Sequence, residues 1–435
     1  MTFYAGVDFG TSGARIAVVD AKGILCHQSS RTFGTVLEAA LPDCWQETLF
    51  SLLRGIESPQ RRELAAIAVN GTSATVLLCD AIGNPVLPPL LYNDARAASA
   101  VEGLRQLFAQ ERYHNAPGQH TVLSATSSLV KLLWWSEQPA FTQARYLMHQ
   151  ADWLGFLLHG RLGVSDYHNS LKLGYDVVQL SYPDWLTSLA IAPLLPQVIA
   201  PGTPIGPVQP EVAAHLNIPS HCRVCAGTTD SIAAFLASGA TEPGDAVTSL
   251  GSTLVLKLLS RTRVENNAYG IYSHRLGDRW LVGGASNTGG AVLQQFFTPS
   301  ELATLSDRIP TEQASPLDYY PLLQPGERFP TNNPHLLPRL EPRPSDPVAF
   351  LHGLLESMSR IEAEGYRLLQ TLGATPLTQI FTAGGGAENA AWTALRSRHL
   401  GVRVERSQQP EAAYGTARLA LGLLTTPRLS ETRHL

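Results

Sequence analysis

Apolar and polar positions alternate through the first 80 residues in short runs broken by glycine-rich turns. Tyr4 to Phe9 is apolar up to Asp8, Gly10-Thr11-Ser12-Gly13 makes a turn, and Ala14 to Asp20 is apolar again. After Ala21-Lys22-Gly23, Ile24 to Phe33 reads as a third strand. The spacing of Leu41, Trp45, Leu49 and Leu52 predicts a helix over Pro42 to Ile56, followed by strands at Leu64 to Val69 and Thr75 to Cys79. Three hairpin strands, a helix and further strands predict an α/β unit, a mixed sheet with helices packed on it.

Helical periodicity takes over in the middle third, at Ala95 to Glu111, Ser127 to Glu137 and Tyr146 to Leu158. Pro193 to Pro210 is rich in proline and glycine and is a natural approach to a domain boundary. A second strand-turn-strand passage follows, Ala246 to Leu259, broken at Gly251-Ser252-Thr253. Leu250-Gly251-Ser252-Thr253 lies over Phe9-Gly10-Thr11-Ser12, and each copy starts a stretch of similar length. Two domains are therefore expected, 1–225 and 226–435. Pro321 to Pro347, rich in proline and arginine, reads as a surface excursion. Thr371 to Glu405 supplies a Gly-rich turn, helix and strand, and Glu411 to Leu423 a small-residue helix.

Composition narrows the function. The 435 residues are 44% hydrophobic and 16% charged, enough apolar material for two or three cores and too little charge for a disordered chain. A net charge of −4 argues against a nucleic-acid partner, which would need a concentrated basic surface. No run approaches the 18 apolar residues of a membrane span, and MTFYAGVDFG lacks the basic start and apolar stretch of a signal peptide. Five scattered cysteines suit a reducing, cytoplasmic setting; Cys222 and Cys225 form a CxxC with no second ligand pair for zinc. The only lysines are Lys22, Lys131, Lys172 and Lys257, none followed by Ser or Thr, so there is no GxxxxGK[ST] phosphate loop.

Three foci carry chemistry. Asp8-Phe9-Gly10-Thr11-Ser12-Gly13 sets a carboxylate at a strand end beside a turn rich in N–H and hydroxyl donors. Such a turn can face phosphate oxygens while the carboxylate holds a hard cation such as Mg²⁺; it also suits an ordinary hairpin in which Asp8 caps. Ala226-Gly227-Thr228-Thr229-Asp230-Ser231 leads into an apolar helix with Asp230 in its first turn. There a carboxylate either accepts a proton from a substrate hydroxyl or simply stabilises a helix start. The third focus is a set of turns in the second half: Gly251-Ser252-Thr253, Asn287-Thr288-Gly289-Gly290, and Thr382 to Asn389 with its three successive glycines. They suit an anion or nucleotide seat as well as tight turns, and none has GxGxxG spacing.

Taken in order, Asp8-Phe9-Gly10-Thr11-Ser12, Ala226 to Asp230, Leu250 to Thr253, Ala383 to Asn389 and Glu411 to Ala417 resemble the FGGY family of carbohydrate kinases, of the actin-like ATPase superfamily. The resemblance spans essentially the whole chain and includes weaker passages at Tyr92 to Arg96 and Tyr320 to Pro330. It implies two RNase-H-like lobes, mixed sheets flanked by helices, with a sugar-binding lobe first, an ATP-binding lobe second and an interlobe cleft whose closure excludes water. By that likeness Asp8 and Thr11 sit near Mg²⁺ and the transferring phosphoryl, with Ser12 and Gly13 in the first phosphate turn. Asp230 is the general base on the sugar hydroxyl. Gly251, Ser252 and Thr253 form the second phosphate loop, and Gly385, Gly386, Asn389 and Trp392 the adenosine segment.

The sugar is harder to assign. Val69-Asn70-Gly71-Thr72-Ser73-Ala74-Thr75 stands where glycerol kinases carry Arg-Glu and xylulokinases Gln-Met-His, and neither is present. Ser73 and Thr72 can hydrogen-bond a sugar hydroxyl or close a strand-end turn. Compactness, with Asn70 to Ser73 and Ser165-Asp166-Tyr167-His168-Asn169, is similar to the small D-ribulose kinase branch, sometimes called xylulokinase-like. The expectation is ATP- and Mg²⁺-dependent phosphorylation of D-ribulose, with D-xylulose or another polyol as the alternative. An actin-like ATPase or a silent sugar-binding regulator are the rivals outside that chemistry. Small-molecule sugar and ATP are the expected partners; monomer or dimer is left open.

Overall fold

Two sheets of the same design carry the molecule, each built from a hairpin run that then recruits parallel strands. The computed structural model describes residues 1–110 and 119–422. It divides into two compact units, Met1–Ala237 with Glu411–Leu435, and Ser238–Pro410.

In the first unit, β1 (Phe3–Phe9), β2 (Gly13–Asp20) and β3 (Leu25–Thr32) form the expected antiparallel hairpins, and β4 (Leu64–Gly71), β5 (Pro204–Pro207) and β6 (Arg223–Thr229) complete a sheet ordered β3-β2-β1-β4-β6-β5. β1, β4 and β6 run parallel, so their carboxyl ends share one edge. β1 is apolar on both sides because both faces are covered, as parallel strands require. One face packs on α1 (Leu41–Gly55), whose Trp45, Leu49, Leu52 and Leu53 enter the core with Val7 and Ile67. The other takes Ala413 and Ala417 of α7 (Ala412–Ala420) against Ala17 and Val19.

A separate core surrounds α2 (Ser128–Ser136), where Trp135 is buried with Leu104, Phe108 and Trp185, and Trp134 is half-buried beside it. Helical periodicity over Tyr146 to Leu158 conceals a strand: Tyr146–His149 pairs with Val76–Cys79 before α3 (Gln150–His159) begins. The switch is local, since His149 and Asp152 close a reciprocal capping box. The expected helix over Ala95 to Glu111 is a 3-10 turn, Arg96–Ser99, and a helix, Ala100–Phe108, with Glu111 outside the described residues. Leu423, the expected end of the last helix, also lies outside them.

The second unit repeats the plan. β7 (Asp245–Leu250), β8 (Leu254–Ser260), β9 (Tyr272–Leu276), β10 (Arg279–Ser286), β11 (Gln379–Ala383) and β12 (Arg403–Arg406) form a sheet ordered β9-β10-β8-β7-β11-β12. β7, β11 and β12 are parallel, matching β1, β4 and β6. Its core gathers around α5 (Pro347–Thr371), with Leu351, Leu354, Leu355, Ile361 and Leu369 buried, and α6 (Ala390–Leu400) beside it. The excursion Pro321 to Pro347 is less superficial than its composition predicts: Phe329 is fully buried and Glu327 only 3% exposed.

The packing moves the expected division at 225/226. The segment after β6 continues into α4 (Asp230–Ala237), which stays with the first unit, and the chain returns to that unit at Glu411. Small residues drive this, because α7 lies close enough to β1 and α4 that Gly6 faces Ala417 and Gly415 faces the Ala233 carbonyl.

Candidate active site

Strand register in the first unit aligns the two expected carboxylates. Asp8 of β1 lies beside Asn70 of β4, which lies beside Thr228 of β6; one step on, Phe9, Gly71 and Thr229 form the next row, and Asp230 follows. Asp8 and Asp230 therefore share the carboxyl edge of three parallel strands, the usual ligand edge of such a sheet. The register of β6 shifts between Cys225 and Thr228, turning the chain out into α4. Asp230, half-buried, accepts from the Ser231 amide at 2.7 Å, and the amino end of α4 favours its charge.

Asp8 is 6% exposed, and its Oδ1 is buried with no hydrogen-bond partner among the described residues. Burial first, then the charge of Asp230, push its pKa up to about 6, against the pull of Arg15, whose Nη1 is 4.0 Å from Oδ2. An unsatisfied buried carboxylate oxygen is a group waiting for a partner, and a hard cation fits it. Among the described residues no cluster of three or more His, Cys, Asp or Glu could cage a metal. Mg²⁺ at Asp8 would thus rely on nucleotide phosphates for further ligands, its habit in phosphoryl-transfer sites. Next to Asp8, the Gly10 amide donates to the Gly13 carbonyl at 3.0 Å, leaving Thr11 and Ser12 exposed at the tip.

The Val69 to Thr75 turn ends β4. The Thr72 amide donates to Gln150 Oε1 at 3.1 Å, Thr72 and Thr75 hydroxyls are 2.5 Å apart, and the Thr75 hydroxyl accepts from the Tyr92 amide. Ser73 is half-buried, and its hydroxyl has no partner among the described residues. In the family-like passage Tyr92 to Arg96, Asp94 is tied to Arg96, which also pairs with Glu38 at 2.8 Å.

In the second unit three turns that the sequence spaces far apart come together. The Gly290 amide donates to the Gly251 carbonyl at 2.9 Å, Ala291 to Ser252 at 3.2 Å, and Leu254 to Thr288 at 2.8 Å. Gly289 and Gly384 have φ of +149° and +83°, and a Cβ on either would strike Ser252 and Thr253 or the Leu250 carbonyl. Ser252, Thr253 and Gly385 stay exposed above this junction. Asn389 caps α6 by accepting from the Trp392 amide at 2.9 Å and donates to the Ser306 hydroxyl at 2.8 Å. Trp392 is 2% exposed, packed beneath Gly386 and Leu250, so its ring supports the turn from below.

Several residues escaped sequence reasoning. Glu327 accepts from the Ser286 hydroxyl at 2.5 Å and the Asn287 amide at 2.9 Å, so the excursion is pinned to the Asn287 to Gly290 turn. Asp166 is fully buried, accepting from the His168 and Asn169 amides and from Asn169 Nδ2 at 2.6 Å, while Asn169 donates to the Thr228 carbonyl just before Asp230. Lys172 is half-buried, its pKa lowered by burial and supported by the charge of Asp230. The runs Tyr320 to Pro330 and Ser165 to Asn169, quoted for their family likeness, hinted at Glu327 and Asp166, and nothing hinted at Lys172. Cys225 in β6 and Cys222 just before it are free and buried, with burial holding their thiols up near pKa 11 and 12.

Two duplicated α/β units, each with a ligand edge at the ends of parallel strands, define an ATP-dependent sugar phosphotransferase of the actin-like ATPase type. The chain belongs to the FGGY family of carbohydrate kinases: the family's N-terminal domain matches residues 3–237 and its C-terminal domain residues 246–422. Among curated relatives, xylulose kinases of Streptomyces coelicolor and Staphylococcus xylosus are 28% and 24% identical; each alignment covers 97% of this chain, and 88% and 90% of theirs respectively. The fold matches crystal structures of a Brucella ovis kinase (TM-score 0.83, 22% identity, 97% of this chain and 90% of that one) and of Rhodospirillum rubrum xylulose kinase (TM-score 0.81, 21%, 96% and 89%).

Proposed function

We propose that this kinase transfers the γ-phosphoryl group of ATP to O5 of a ketopentose, D-ribulose ahead of D-xylulose, giving D-ribulose 5-phosphate and ADP. The observation that carries the reading is the pair Asp8 and Asp230 on one strand edge, one deeply buried with its pKa raised and the other half-buried at a helix start. Asp230 takes the hydroxyl proton as that oxygen attacks the γ-phosphorus and the bond to ADP breaks. Asp8 would hold Mg²⁺, with Thr11 near it and the transferring group, and the cation would neutralise phosphate charge. Ser12 and Gly13 supply the first phosphate turn. Gly251, Ser252 and Thr253 supply the second, and Gly385, Gly386 and Asn389, backed by Trp392, seat the adenosine. The first unit takes the sugar and the second the nucleotide.

Ser73 carries the choice of sugar: it is half-buried, its hydroxyl has no partner among the described residues, and it stands in the turn that lacks the Gln-Met-His run of xylulokinases. D-xylulose is the second reading because the relatives named above are xylulose kinases. Five free cysteines support a reducing, cytoplasmic setting, and no helix among the described residues is long and apolar enough to cross a membrane.

An ADP-release assay across D-ribulose, D-xylulose, aldopentoses and glycerol tests the assignment. The highest kcat/KM is expected with D-ribulose; steep selectivity for D-xylulose would replace it. Asp230→Ala should lower turnover by about 10²–10⁴-fold and leave ATP binding intact. Full ATPase turnover without any sugar would point instead to an ATPase of another purpose.

A further inference from the structure

Lys131 is a charged residue in an apolar place. On α2 it stands between Val130 and Leu132, and all three are fully buried. Burying an ammonium costs several kcal/mol unless its protons are well placed, so an apolar residue would serve packing better. Its Nζ donates to the Ala74 carbonyl at 2.8 Å and to the Leu91 carbonyl at 2.6 Å. Burial lowers its pKa to about 7, with the charge of Asp94 supporting the cation and that of Lys172 opposing it.

Both acceptors belong to segments beside the sugar edge. Ala74 follows Ser73 and has φ of +66°, a left-handed backbone that an alanine adopts at a cost and keeps only when its surroundings hold it. Leu91 precedes Tyr92 and Asp94, and its carbonyl also accepts from the Asp94 amide at 3.0 Å. Lys131 therefore joins the Thr72–Thr75 turn to the Leu91–Asp94 turn, and within Thr72 to Thr75 only Ser73 is not buried.

We infer that Lys131 is a positioning residue for acceptor recognition, holding the strained Ala74 peptide so that the Ser73 hydroxyl meets the sugar. The inference rests on the reading above that Ser73 contacts the sugar. Its signature is separable from a mere packing role, because relief of strain at Ala74 should substitute for the lysine. It also explains why one of only four lysines is spent in a core.

Steady-state kinetics with the preferred ketopentose and with ATP, on the full-length protein, test it. Ser73→Ala and Lys131→Met should each raise the sugar KM by about tenfold, leaving the ATP KM within about twofold. Combining them should add little to either alone, since both act on one contact. Ala74→Gly placed in the Lys131→Met background should recover much of the lost sugar affinity. If Lys131→Met does not fold, Lys131→Gln is read in the same assay with the same outcomes. Full additivity with Ser73→Ala, no recovery by Ala74→Gly, or an equal rise in the ATP KM would each overturn the role of Lys131. An unchanged sugar KM in Ser73→Ala would instead overturn the Ser73 reading itself, and the role of Lys131 with it.

Discussion

Asn70 Nδ2 donates to the hydroxyl of Thr416 at 2.5 Å, joining residues 346 positions apart in the chain. The bond fastens α7 to the end of β4, in the same strand row as Asp8. It is the clearest sign that the last described helix is part of the first sheet's architecture, although it follows the whole second unit in sequence.

Removing that acceptor should be felt as stability. Thr416→Val keeps the volume but strands a buried amide donor, at a cost of about 1–3 kcal/mol. Gly6→Ala should be worse than Thr416→Val, because its Cβ would meet the backbone of Ala413, Thr416 and Ala417 and α7 would have to lift. Urea denaturation of each variant against wild type checks the order.

Asp8 should leave an acid limb in the pH profile. Its pKa is held up near 6 by burial and by Asp230, and only the ionised form can hold a cation. kcat/KM at saturating Mg²⁺ should therefore fall as pH drops below about 6, or lower still where the metal competes with the proton. A profile flat down to pH 4.5 would remove Asp8 from metal binding.

Arg396 and Glu362 form a fully buried pair under the Gly251 and Gly384 turns. Arg396 Nε and Nη2 meet the two carboxylate oxygens at 2.6 and 2.8 Å, Nη1 meets the Thr382 hydroxyl at 2.7 Å, and Thr248 donates to Glu362 at 2.5 Å. The pair thus links α5, α6, β7 and β11 just below Gly251 and Gly384. Glu362→Gln or Arg396→Met should each cost about 3–5 kcal/mol, since one partner's charge is left buried alone. The double variant Arg396→Met/Glu362→Leu should lose less than the sum, as a thermodynamic cycle in urea would report.

Asp166 predicts a stability that depends on pH in an unusual direction. Burial raises its folded pKa to about 7 from an unfolded value of 3.8. Between those values the folded state binds the extra proton, so this contribution is present below about pH 4 and is lost as pH rises toward 7. Asp166→Asn should abolish that slope; thermal midpoints of both proteins from pH 5 to 8 would show the wild type declining relative to the variant. Parallel curves would mean that Asp166 is ionised throughout.

Local rules made much of this legible from residues alone. Alternation and glycine turns placed the hairpins at Tyr4 to Phe33 and Ala246 to Leu259, within a residue of the observed Phe3–Thr32 and Asp245–Ser260, because strand period and turn chemistry act over a few residues. The likeness of Phe9-Gly10-Thr11-Ser12 to Leu250-Gly251-Ser252-Thr253 anticipated two sheets of one plan, which strand order bears out. Motif order alone was enough to place the chain in its family. Helical period failed at Tyr146–His149, where pairing with Val76–Cys79 outweighed it.

Other features depend on contacts between residues far apart in sequence, and no local pattern encodes those. Asp8, Asn70, Thr228 and Asp230 become one edge only through the register of β1, β4 and β6. The turns at Gly251, Gly289 and Gly384 become one seat only when β7 pairs with β8 and β11. Lys131 reads as a helix lysine until the Ala74 and Leu91 carbonyls close on it. The sequence by itself determined the elements, the duplication and the kinase family, since these follow from short-range periodicity and motif chemistry. Tertiary structure alone decided where α7 docks, which charges are buried and what each buried charge holds, because burial and hydrogen-bond partners exist only once distant segments pack.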